Sequence, residues 1–137
     1  MGKKEIHERS IEIAKFQGAK LVQEDGWDDL IDYPGGHAYE IGDLEFSSNF
    51  DWSMPLIKTI QNKIKKGNSK SPLLDTFKIY WNADNNQYEV TLSNALSSDP
   101  KYRYEAANKS EKLAIFTVIS DVARAFNEGS LSRTGNF

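Results

Sequence analysis

The sequence predicts an α+β domain in which a small antiparallel sheet is covered by helices, an ABA-type sandwich. Three observations point there. Two stretches repeat apolar residues at helical spacing: Leu56, Ile57, Ile60 and Ile64 in one, and Ile115, Val118, Ile119, Val122 and Phe126 in the other. Two neighbouring segments, Thr76–Trp81 and Tyr88–Leu92, alternate apolar and polar residues across an Asn- and Asp-rich link, the pattern of a hairpin. The chain has 137 residues, the length of one domain, and 39% of them are hydrophobic, enough for a core.

The elements follow in order. Lys3–Phe16 is a charged stretch punctuated by Ile6, Ile13, Ala14 and Phe16, a helix that Gly18 can close. Ala19–Gln23 is a short strand candidate. Glu24–Gly36 carries the turn signals Asp25-Gly26 and Pro34-Gly35-Gly36, and His37–Ile41 can form a second short strand. Ser53 can cap the next helix, with Pro55 in its first turn and Lys65-Lys66 complementing the dipole at its end. After the hairpin, Ser93–Ala107 reads as a polar connection. Asn108, with Glu111 three residues on, fits a capping box for a helix over Lys112–Asn127. The single domain therefore covers 1–128, and 129–137 is a loose polar tail.

Composition narrows the function. Lys plus Arg number 17 against 20 Asp plus Glu, a net charge of −3, which argues against a coat for bulk nucleic acid. No apolar run approaches the ~20 residues of a membrane span, and the first residues lack the apolar core of a signal peptide, so a soluble cytoplasmic protein is expected. With no cysteine, thiolate metal sites and thiol nucleophiles are excluded. His7 lies on a charged helix, and His37 has no acid partner at a readable spacing. No metalloprotease, EF-hand or serine-hydrolase motif is present. The reading is a protein that is not an enzyme and takes no metal or cofactor.

Three features invite a ligand. The lysine-rich turn Gly67-Asn68-Ser69-Lys70-Ser71 follows a helix and lacks phosphate-loop spacing, so a helix end neutralising its dipole accounts for most of it. Tyr102-Arg103-Tyr104 sets two rings about a guanidinium, which can clamp a base and a phosphate or simply anchor a loop. On the last helix Thr117, Ser120, Asp121 and Arg124 share the face opposite the apolar stripe. Small residues around one long arginine leave room for another surface or a ligand, while a solvated helix face explains the polarity equally well.

Phe46–Ile60 (FSSNFDWSMPLIKTI), Ile11–Gly18 (IEIAKFQG) and Val118–Phe126 (VISDVARAF) together resemble the phage ABA-sandwich domain family. Arg124 matches the single arginine of that family's closing helix, although Ala123 stands where a cysteine is usual. The resemblance implies a layered domain without enzymatic activity. It further implies the role of the family's anti-Thoeris members, oligomeric phage proteins that sequester cyclic ADP-ribose-type or cyclic nucleotide immune signals intact. On this reading Arg124 and Arg103 hold phosphate. Tyr102, Tyr104 or Trp52 stack on the base, Asp121 completes the site, and a homo-oligomer forms through the Thr117, Ser120 and Arg124 face. The alternative is a protein-binding inhibitor of a host or defence protein, whose acidic segment (Asp25, Asp28, Asp29 and Asp32, beside Trp27) would suit a basic partner.

Overall fold

Helix α1 (Lys3–Phe16) ends where its glycine demands it. Gly18 takes φ +93°, its N–H donates to the Lys15 carbonyl and that of Ala19 to the Ala14 carbonyl, the paired bonds of a Schellman stop. The structure is a computed structural model that describes residues 1–23 and 29–131 and the backbone of 134–135. The expectation for Asp25, Trp27 and Asp28 lies outside the described residues.

Strands β1 (Lys20–Val22), β2 (Leu30–Asp32) and β3 (Ala38–Glu40) make a small antiparallel sheet in that order. The turn-rich reading of Glu24–Gly36 misses β2. Only three residues long, it owes its place to one fully buried side chain, Ile31. A 3₁₀ turn at Ile41–Asp43 leads on to α2 (Phe50–Lys63). This helix starts before the expected cap: Asn49 accepts the Asp51 N–H at 3.0 Å, and Ser53 is buried inside the first turns. Pro55 consequently lies in the second turn, where its missing N–H forfeits a bond to the Asp51 carbonyl. The expected stripe, Leu56, Ile57, Ile60 and Ile64, is buried throughout.

The hairpin forms as read, slightly longer: β5 (Thr76–Asn82) pairs with β6 (Gln87–Ser93), turning through Asn86 at φ +54°. Strand β7 (Arg103–Asn108) adds a third member within the segment read as a connection. Its inward residues Tyr104, Ala106 and Asn108 are too weakly apolar to announce a strand. Helix α3 (Glu111–Asn127) is capped by Ser110, whose Oγ accepts the Leu113 N–H at 3.3 Å, not by Asn108, which accepts the Ser110 N–H instead.

Helix α3 is the middle layer. Its Ile115, Val118, Ile119 and Val122 are buried as expected, and so are Ala114, Phe116, Ser120 and Ala123. One side packs on β6 and β7, the other on α1 and α2. Lys112 lies over the Phe50 ring and Lys63 over the Phe126 ring, so α2 and α3 run side by side in one direction. The class is therefore α+β, a helical layer against a small antiparallel sheet. The tail is tied back at its start: Leu131 is buried, its N–H donates to the Ala125 carbonyl, and β8 (Thr134–Gly135) pairs in parallel with β4 (Lys65–Lys66).

Candidate functional site

Alternation along the three-stranded sheet sends Phe77, Ile79, Tyr88, Val90, Leu92, Tyr104 and Ala106 toward the helices and leaves a polar outer face. That outer face is concave. A cavity of about 440 Å³ lies across it, with Glu89, Thr91 and Ser93 of β6 as floor, Lys78 and Tyr80 on the β5 side and Arg103 and Glu105 on the β7 side. The register sets Lys78, Thr91 and Glu105 in one row and Ser93 beside Arg103 in the next. Arg103 Nε meets Glu105 at 3.3 Å with both side chains more than half exposed, a weak pair that a ligand can reorganise. Tyr80 donates its hydroxyl to Glu89, and Asn82 Nδ2 donates to the same carboxylate at 3.0 Å. The Lys78 ammonium has no partner among the described residues.

The Tyr-Arg-Tyr triplet does not form one clamp, because neighbours on a strand point to opposite faces. Arg103 is on the outer face, Tyr104 on the inner, and Tyr102 is buried in the 3₁₀ turn that leads into β7. Tyr104, on the inner face of β7, lies near enough to Asp121 of α3 to feel its charge. Burial, and then the Asp121 charge, push the Tyr104 hydroxyl up to about 12.

Asp121 and Ser120 are taken by α1. Arg9 Nη1 donates to Asp121 Oδ1 at 2.7 Å and to Ser120 Oγ at 2.8 Å. Burial would lower the pKa of the guanidinium, but bonding and charge from Asp121, then Glu5, outweigh it and raise it. Ser120 and Asp121, two members of the small-residue face of α3, are thus engaged by α1 of the same chain, whereas Thr117 and Arg124 stay partly exposed. Small side chains let the two helices approach. Arg124, on the last turn of α3, lines neither the sheet cavity nor the aromatic cleft and has no side-chain partner among the described residues.

Trp52 belongs to a different site. Tyr33, Tyr39, Trp52 and Phe46 form a chain of edge-to-face rings with centroids 5.2–5.8 Å apart, lining a cleft of about 300 Å³ with Gln17 and Asp51. Tyr33 donates its hydroxyl to Gln17 Oε1 at 2.6 Å, and burial, then Tyr39, push it up to about 12. The lysine-rich turn closes on itself through Ser69 N–H to the Lys66 carbonyl and Ser71 N–H to Ser69 Oγ, beside a shallow cavity that includes Asp75.

Of the residues lining this cavity, Arg103 is legible from the sequence, whereas Lys78, Tyr80, Glu89, Thr91 and Ser93 are not. These occupy every second position along the β5–β6 hairpin. Only the third strand turns that polar stripe into one wall of a cavity. No family model, no curated protein and no solved structure matches the chain.

Proposed function

We propose that the protein is a non-enzymatic binding protein that holds a nucleotide-type signal on the concave outer face of the β5–β6–β7 sheet. One observation carries the reading: two cations, Lys78 and Arg103, stand at opposite rims of one cavity of nucleotide size whose floor bears hydroxyls. The cations suit phosphate oxygens, the Tyr80 ring offers a stacking surface, and Glu89 or Glu105 can accept ribose hydroxyls. Nothing in this arrangement requires a nucleophile, and the signal is released unchanged. The experiment is incubation with a panel of cyclic nucleotides and ADP-ribose isomers, followed by mass spectrometry of bound and heat-released material. An intact, retained ligand supports the reading, whereas a chemically altered product or retention of no ligand from the panel contradicts it.

A second reading, a protein-binding role toward a basic partner, is favoured by the aromatic cleft. Among the described residues its one charged lining residue is Asp51, and from 29 to 51 the chain carries Asp29, Asp32, Glu40, Asp43, Glu45 and Asp51 with no Lys or Arg. Trp and Tyr rings beside a carboxylate suit a guanidinium or ammonium group. On this reading Trp52→Ala abolishes capture of the partner and leaves nucleotide retention unchanged.

A further inference from the structure

We infer that the outer edge of β5 is an interface for a second copy of the same chain, paired antiparallel about a two-fold axis through Ile79. In its own sheet β5 is hydrogen-bonded on one side only, to β6, and no described segment pairs with its other side. It is seven residues long, holds no proline and no bulge, and α3 packs on β6 and β7 rather than on β5. Its inward row is consequently underfilled: Phe77 and Ile79 are half-buried and Trp81 is 47% exposed, edge-on to Tyr88 at 4.8 Å. A long apolar edge of this kind is one that folded proteins normally block or pair.

The occupant follows from the order of residues along Thr76–Asn82. With Ile79 on the axis, Phe77 faces Trp81 of the second copy, Ile79 faces Ile79, Lys78 faces Tyr80 and Thr76 faces Asn82. Apolar meets apolar on the inner face, and each ammonium meets an aromatic ring on the outer one. The neighbouring registers are worse. An axis through Lys78 sets ammonium against ammonium, and one through Tyr80 leaves Phe77 without a facing residue. Lys78 therefore selects the register. The opposite edge does not qualify: α3 packs on β7, whose outer face carries the Arg103–Glu105 ion pair.

Pairing at β5 joins two three-stranded sheets into one of six strands. Lys78 and Tyr80 line both the edge and the sheet cavity, so each copy sets its Tyr80 beside the other's Lys78 at the rim of the proposed nucleotide site. The inference stands on the geometry of β5 and needs no ligand, so its test is separate from that of the binding proposal.

The chain has no cysteine, which makes single-cysteine variants direct reporters. Under mild oxidation Ile79→Cys is expected to form a covalent dimer readily, and Thr76→Cys, displaced from the axis, far more slowly. Light scattering without ligand should give a dimer for the parent, and Trp81→Lys, at an already exposed position, should weaken it about tenfold or more. A monomeric parent overturns the inference. So does a dimer unaffected by Trp81→Lys, or equal cross-linking at positions 76 and 79, because either places the contact elsewhere.

Discussion

Arg9 holds together a junction that each of its partners explains only in part. It ties α1 to Asp121 and to Ser120, which is fully buried, so Arg9→Ala leaves a buried hydroxyl without its guanidinium and a carboxylate without its countercharge. A loss of about 1.5–3 kcal/mol is expected, read as a lower urea midpoint at unchanged slope. Arg124→Ala should leave the midpoint within about 0.5 kcal/mol of the parent, since its side chain bonds nothing described. Ser10 provides the converse case. Its Oγ is buried with no described partner, so Ser10→Ala should be neutral or stabilise by up to about 1 kcal/mol in the same assay. Tyr104 supplies a pH dependence. Burial and Asp121 raise its pKa from 10.0 to about 12, so the folded state keeps a proton that the unfolded chain releases. Its contribution is complete below about pH 10 and is lost as pH rises through about 12. Tyr104→Phe should make stability fall less steeply between those two values, as followed by denaturant midpoints measured across that range.

At the scale of elements, helices were legible because their apolar spacing repeats over many residues. The stripe Ile115, Val118, Ile119 and Val122 identifies α3 correctly. It did not reveal that Ala114, Phe116, Ser120 and Ala123 are buried as well. A helix between a sheet and two other helices keeps only a narrow solvent face, here Lys112 and parts of Asp121 and Arg124, and its buried Ser120 marks close approach of α1. Ile119→Asp should therefore cost several kcal/mol, because an unpaired carboxylate would be buried there. A melting curve matching the parent contradicts the packing described. Capping was harder to read. Asn49, Ser53, Asn108 and Ser110 are all competent cap residues, and tertiary packing decides among them. Asn49→Ala should cost about 1 kcal/mol, while Asn108→Ala should cost less than Ser110→Ala. Short strands were the least visible: β2 rests on Ile31 alone, and β7 on the alternation of Tyr104, Ala106 and Asn108, which no local scale marks as a strand.

For the whole molecule, missing β7 had the largest consequence. Without it Arg103 is a loop residue between two tyrosines. With it Arg103 faces Lys78 across a concave sheet, while Tyr102 and Tyr104 belong to the interior. Of the residues singled out from sequence for ligand contact, the sheet cavity keeps Arg103, the aromatic cleft keeps Trp52, and α1 accounts for Asp121. The cavity's aromatic ring and second cation, Tyr80 and Lys78, lie on the polar side of a hairpin whose alternation alone does not mark them. The central claim is that this sheet face binds a phosphate-bearing ligand through cations on both rims. It is tested most directly by calorimetric titration of a nucleotide retained in the panel against the parent, Lys78→Ala, Arg103→Ala and Arg124→Ala. Each rim substitution should weaken binding about tenfold, roughly 1.4 kcal/mol, through loss of charge-assisted hydrogen bonds, and Arg124→Ala should bind as the parent does. Unchanged affinity in both rim variants, or a loss confined to Arg124→Ala, would contradict the assignment of the site.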